Sequence, residues 1–346
     1  MLKKILCVLM ISMLFICTTT YSYAIDYNED SINNIVSKYE YNDTLVYKVT
    51  NNKKIISSKN INQLLFQIGY TENEINTFSS EDINNIINCE EITISESYFC
   101  VSQDGEYESM NKQECLFKAK IKNQDTARNL FCLDKVDNAN LFSINNTLNN
   151  STKIDYSDDD YMKISTSSIY LSSGWYIIAS TYTWLNTPKS RGVDIMSICA
   201  PELAWSQDNS QYFCGVSYTQ MTSTSGSKTT VERMFERPKS LVKKSGGIYY
   251  SYDLPNDISY TGYPTYILKS CSDISITIRG KARVSDYTKP RAFNVFSTYG
   301  HSISNLGINP KISWSLGSYF PGVSFAVGKD KKISYYYGMN YTDYNP

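Results

Sequence analysis

Between residues 274 and 284 every even position is apolar or glycine, and every odd position is polar or basic. Side chains leave a strand on alternate sides, so this run is a β-strand with one buried and one wet face. The wet face carries Arg279, Lys281 and Arg283, and Gly280 marks the place for a bend or bulge. Residues 312–316 and 323–327 alternate in the same way with Pro321-Gly322 between them, which predicts a hairpin. From Tyr161 onward short strands follow one another, separated by Gly, Pro and Asn turns. The fold expected is mainly β, with an antiparallel sandwich or barrel-like domain over residues 161–346. Thirty Tyr among 346 residues agree with this, since Tyr suits a pleated, half-buried surface and can also display a rigid contact with a polar tip.

Residues 25–137 read as a smaller α+β region with short helices. A strand is expected at 44–49. Leu64, Leu65 and Ile68 then share a helical face, with Gly69 at the C-cap. Thr71 and Glu74 form a capping box for a second short helix, and Ser79 or Ser80 caps a third that carries Ile83, Ile86 and Ile87. So small a helical group cannot stand alone, and its apolar faces must pack on the strands that follow. Those strands are expected at 91–101, 115–121 and 129–136, with Gln103-Asp104-Gly105 turning between the first two. Residues 138–160, rich in Asn, Ser, Thr and Asp, read as a linker or exposed loop and as the domain boundary.

The beginning of the chain bears on location. Lys3 and Lys4 precede an apolar run ending at Cys17, and Ser22-Tyr23-Ala24 supplies a small-x-small cleavage pattern. Residues 1–24 are thus read as a secretory signal peptide, and the mature protein as secreted or held at the cell surface. The apolar core is too short to span a bilayer comfortably. Cys7 and Cys17 would leave with the leader, and Cys89, Cys100, Cys115, Cys132, Cys199, Cys214 and Cys271 would remain. Disulfides are the expectation for an exported chain, with one thiol left over and the connectivity open. A formal net charge of −1 gives no basic footprint for nucleic acid.

His301 is the sole histidine, which excludes sites with two or three His ligands and H-E-x-x-H metalloproteases. Any Ser-His-Asp machinery would have to use it, and a structural role is expected instead. Asp155 and Asp158-Asp159-Asp160 lack the spacing of a calcium loop and read as solvated. No metal and no cofactor are expected. The dense segment is 182–196, where Trp184 ends a strand, residues 186–190 turn, and Arg191 and Asp194 begin the next strand. Two readings stay open for it: an Arg191–Asp194 ion pair bracing a hairpin, or a ligand platform of Trp184, Arg191 and Asp194.

Three pieces of the chain carry a resemblance. They are Leu64-Leu65-x-x-Ile68-Gly69-Tyr70-Thr71-x-x-Glu74-Ile75, then Trp184-Leu185-Asn186-x-Pro188-x-x-Arg191-x-x-Asp194-Ile195, and the Ser- and Gly-rich C-terminal part around His301. Together they resemble uncharacterised exported β-rich proteins of Gram-positive bacteria. The resemblance implies an exported β protein and brings no activity with it. The function expected is non-enzymatic binding of a wall polymer, glycan or protein at the cell surface. The alternatives are a membrane-active, pore-forming-like β protein and a secreted hydrolase using two carboxylates.

Overall fold

The structure is a computed structural model. It describes residues 35–41, 44–51, 56–101, 107–131, 160–188, 191–224, 229–236, 242–244, 246–256, 258–262, 265–286, 288, 291–302, 311–316, 321–326 and 333–344. The leader, the turn at 103–105, Cys132, Asp155, Asp158 and Asp159 lie outside these residues, as does nearly all of the 138–160 stretch.

In chain order, β1 (Val36–Tyr41) and β2 (Thr44–Thr50) precede the helices α1 (Ile61–Gln67), α2 (Glu72–Ile75) and α3 (Ser80–Asn88). Next come β3 (Glu91–Val101), β4 (Tyr107–Met110) and the helix α4 (Lys112–Phe131). The chain continues through β5 (Asp160–Ser172), β6 (Trp175–Trp184), β7 (Val193–Cys199), β8 (Leu203–Trp205), β9 (Tyr212–Thr224) and β10 (Thr229–Glu236). Then follow β11 (Val242–Lys244), β12 (Gly247–Asp253), β13 (Ile258–Gly262), β14 (Thr265–Val284) and β15 (Arg291–Ser302). Last are β16 (Lys311–Leu316), β17 (Pro321–Ala326) and β18 (Ile333–Tyr344).

The strands form two principal antiparallel sheets. The larger has the order β1-β2-β3-β5-β6-β14-β9-β10, with β4, β8 and β13 attached to its members. The smaller has the order β11-β12-β7-β15-β18, and β18 packs across β3 and β5. This is the expected sandwich, and the sheets do not close into a barrel. The hairpin near the C-terminus is present as the β16–β17 pair, with Pro321 and Gly322 inside β17 rather than at its turn.

Alternation explains how the larger sheet is packed on both sides. Met162, Ile164, Ile178, Tyr182, Ile276 and Ile278 face the smaller sheet and meet Met196, Ile198 and Val295 there. On the opposite side Ile92, Ile94, Ile169 and Ile177 receive Leu64, Leu65, Ile68 and Ile86 from the helices. The short helices therefore pack on the strands, as their apolar faces require. The expected capping box of Thr71 with Glu74 is in place on α2, and of the two serines expected to cap α3 it is Ser79 that does so, in a box with Asp82. Gly69 takes φ +95° at the end of α1, where the Glu96 carboxylate lies against its Cα. A side chain there would meet both a left-handed backbone and that carboxylate.

Several expectations are corrected. The strand expected at 115–121 lies in α4, where Cys115 and Ala119 share the buried face while Leu116 is 41% exposed. Lys, Gln, Glu, Ala and Leu favour a helix over the apparent alternation, and a Glu114–Lys118 pair at 2.8 Å adds i,i+4 support. The strand expected at 129–136 begins in this same helix, and residues 132–136 lie outside the described residues.

The boundary expected at 138–160 does not separate two cores. β3 pairs with β5 along eleven residues, from Glu91↔Tyr170 to Val101↔Asp160, so the regions on either side share one sheet.

The odd-numbered face of β14 is not uniformly wet. Ser275, Thr277 and Arg279 are buried beneath the helices, and Arg279 pairs with Asp82 of α3. Lys281 and Arg283 instead lie over the Trp175 ring. Gly280 sits in regular pairing, and the irregularity of β14 falls at Ser272/Ser275. Glycine is needed because Trp205 and Tyr212 close over it, 2.8 Å from where a Cβ would stand.

The six described cysteines are free thiols rather than disulfides. In the inter-sheet core, Cys214 stands opposite Ile278 and Cys271 opposite Gln220, so they occupy different heights on β14. Burial raises the thiols of Cys89 and Cys115 to about 12 and that of Cys199 to about 11, which keeps them protonated and unreactive.

Candidate functional site

The segment singled out in the sequence is a crossover and not a hairpin. β6 belongs to the larger sheet and β7 to the smaller, so the chain changes sheets between Trp184 and Val193. Trp184 ends β6 as expected, but it is only 1% exposed. Its indole lies edge-on to His301, with ring centroids 4.7 Å apart, and its Nε1 donates to the Tyr299 hydroxyl at 2.9 Å. It therefore offers no face to a ligand arriving from solvent.

Asp194 and Arg191 are each held by other parts of the molecule. The Asp194 carboxylate, fully buried on β7, accepts from the Tyr299 hydroxyl and lies 2.9 Å from His301 Nδ1. A carboxylate only accepts, so Nδ1 carries the proton. Burial works to lower the His301 pKa, but the charge and hydrogen bond of Asp194, with Asp160 behind them, outweigh it and raise the pKa. Arg191 donates through Nε to the Pro188 carbonyl at 3.2 Å and through Nη1 to the Pro255 carbonyl at 3.1 Å. Trp184, Asp194, Tyr299 and His301 thus form a buried polar knot between the sheets, and Arg191 ties the connection between β6 and β7 to the loop after β12.

That loop borders an open concavity. A cleft of about 450 Å³ is lined by Tyr218 and Gln220 of β9, by residues 250–253 of β12, by Leu254, Pro255 and Asn256, and by Cys271 of β14. Tyr250 and Tyr252 alternate onto the same side of β12, with rings 6.2 Å apart and 31° from parallel. Ser251, Asp253 and Asn256 are exposed at its mouth. The connection between β6 and β7 supports this cleft from behind. Leu254 N donates to the Gly192 carbonyl at 3.0 Å, and the Thr187 hydroxyl donates to the Cys271 carbonyl at 3.3 Å. Tyr218 and Tyr250 are each 5% exposed and belong to the inter-sheet core, so the half-buried Tyr252 is the ring that borders the opening.

A second charged cluster lies under the helices. Lys163, 2% exposed on β5, reaches Glu74 at 2.7 Å, the Gly69 carbonyl at 2.9 Å and Glu96 at 3.4 Å. Glu96 in turn takes Lys112 of α4 at 2.8 Å and the Tyr98 hydroxyl at 3.2 Å. Burial, with the Glu96 charge nearby, raises the Tyr47 phenol at the edge of this cluster to about 12. Its groups satisfy one another and join three helices to the sheet, which marks it as structural.

Sequence reasoning reached Trp184, Arg191 and Asp194 but not the cleft beside them. The signal was available in Tyr249-Tyr250-Ser251-Tyr252-Asp253-Leu254-Pro255-Asn256, an aromatic strand followed by a turn. No group of His, Cys, Asp and Glu that would hold a metal ion occurs among the described residues. No helix among them is long and apolar enough to cross a membrane. No family model matches the chain, and no curated protein matches it.

Proposed function

We propose that the protein acts outside the cell or on its surface as a non-enzymatic binding module, and that it holds a glycan or wall polymer in the tyrosine-lined cleft. One observation supports the reading: the half-buried ring of Tyr252 borders an open cleft beside the exposed Ser251 and Asn256, with Tyr218 and Tyr250 forming its buried base. Sugars combine apolar ring faces with hydroxyl edges, and such a lining meets both. The leader read at residues 1–24 supports export.

Two-carboxylate hydrolysis needs a facing pair, and Asp253 is the one acidic residue lining the cleft. Membrane insertion drew its support from the alternation of β14. Packing between the smaller sheet and the helices already accounts for that pattern.

The test is co-sedimentation with purified Gram-positive wall material. Tyr252→Ala is expected to weaken retention about tenfold or more while the melting temperature stays near that of the parent. Protein left wholly in the supernatant, or retention unmoved by Tyr252→Ala, would remove the proposal.

A further inference from the structure

On the helix-covered side of the larger sheet, two neighbouring rows are polar across four strands. Lys163, Thr183, Ser275 and Ser217 stand side by side on β5, β6, β14 and β9. In the next row Ser165, Thr181 and Thr277 lead to Gly215. None of these side chains is more than 5% exposed. Further along the same face Ile169 and Ile177 receive apolar helix residues in the ordinary way. Above the polar rows lies α2. Residues 71–77 bury two side chains completely, Glu74 and Thr77, and both are polar. The Glu74 carboxylate accepts from Lys163 and from the Thr183 hydroxyl, each at 2.7 Å. The Thr77 hydroxyl meets that of Thr277, and its carbonyl fills the space that a side chain at Gly215 would need. The hydroxyls of Ser165 and Ser217 have no hydrogen-bond partner among the described residues.

A buried hydroxyl gives up its water partners, so a polar floor suits a cover only where the cover replaces them. α2 replaces some of them, and its one apolar residue, Ile75, is only partly buried. The neighbouring helices are fixed instead by Leu64, Leu65 and Ile86. The segment follows Gly69, and the Tyr70 and Phe78 rings meet edge-on at its two ends, 5.1 Å apart. Residues 70–78 are thus a loop closed at its base, able to lift as one piece. With Glu74 lifted away, Lys163 and Lys112 face Glu96 alone, and the floor carries excess positive charge. We infer that the two rows are a binding site for an acidic peptide, which α2 occupies in cis. Glu74 stands where the partner's carboxylate docks, and Thr77 where a hydroxyl three positions further along docks. One helical turn sets that spacing, because positions three apart lie on the same face. The Glu74–Lys163 pair holds the fold together while the loop is down and is exchanged for the partner's pair when it lifts.

The probe is a fluorescent peptide with the sequence of residues 70–79, titrated into the chain from residue 25 and followed by anisotropy. The parent's affinity is reduced by the fraction of molecules that are open. Glu74→Gln removes the competing charge in cis and is expected to bind the peptide about tenfold tighter than the parent does, or better. Adding Lys163→Met to Glu74→Gln should abolish that gain. The peptide carrying Glu74→Gln itself should bind neither protein.

A folded Glu74→Gln protein that binds the peptide no better than the parent overturns the proposal. So does a gain that is the same for the peptide with and without its Glu74 carboxylate. Should Glu74→Gln fail to melt cooperatively, hydrogen exchange in the unaltered protein decides. The hydrogen-bonded amides of Ile75, Asn76 and Thr77 are expected to exchange about 100-fold faster than those of Ile68 and Ile86, and faster still with excess peptide. Equal protection in the two groups, or exchange that the peptide leaves unchanged, overturns the proposal.

Discussion

His301 is informative because its partners are all named and all buried. Asp194 holds its Nδ1, Trp184 packs against the ring, and Tyr299 shares the same carboxylate. Its pKa is raised in the folded protein, so the folded state binds the proton more tightly than the unfolded chain does. The stability this contributes is complete below the ordinary histidine value of about 6.5, and it is lost as pH rises through the higher folded value. Melting temperatures measured from about pH 6 to about pH 9 should therefore fall with rising pH. In His301→Gln the fall should be reduced below about pH 8, above which the buried thiols, also raised, add a fall of their own; an unchanged slope below about pH 8 would place the titrating group elsewhere. None of this was legible in the sequence, because His301 and Asp194 are 107 positions apart and only the sandwich brings them together. The caps at Thr71 and Ser79, by contrast, could be read directly, since each is settled within four residues.

Among the elements, α2 is the most exposed to failure, because four residues cannot hold a helix by themselves. Its Glu74 accepts from the Thr71 backbone N–H at 2.6 Å, from Lys163 at 2.7 Å and from the Thr183 hydroxyl at 2.7 Å. Removing the carboxylate leaves a buried lysine without its nearest counter-charge. Glu74→Ala is expected to cost about 3–5 kcal/mol in chemical denaturation. Thr71→Ala, which removes only a cap, should cost about 1 kcal/mol. Equal losses from the two would mean that the Glu74–Lys163 pair contributes little. The element that sequence reading missed, α4, shows the limit of periodicity over a short window. In Cys115-Leu116-Phe117-Lys118-Ala119-Lys120-Ile121 the apolar residues suggest a period of two, yet the burial follows Cys115 and Ala119, four apart. Only the wider context, rich in helix formers out to Phe131, separates the two periods.

For the whole molecule, the shared sheet governs what is a domain and what is not. With β3 seated on β5 and the helices covering Ile169 and Ile177, residues 160–346 lack one edge of their larger sheet and one of their packing layers when made alone. That fragment is expected to show no cooperative thermal transition and poor dispersion in proton NMR spectra, whereas the chain from residue 25 melts as one unit. A cooperative melt from the fragment alone would restore the boundary at 138–160. Composition marked this stretch as a break because it is polar and poor in hydrophobic residues, which describes a long connection as well as it describes a linker.

The position of β14 has a consequence for how the protein is made. It lies between β6 and β9, both of which precede it in the chain. Until Val284 has emerged from the ribosome, β6 and β9 each present an unsatisfied row of backbone donors and acceptors towards a gap the width of one strand. A chain made N-terminus first thus carries two adhesive borders from Thr224 until β14 is complete, and the joining of the two parts of its larger sheet waits for a segment from its last third.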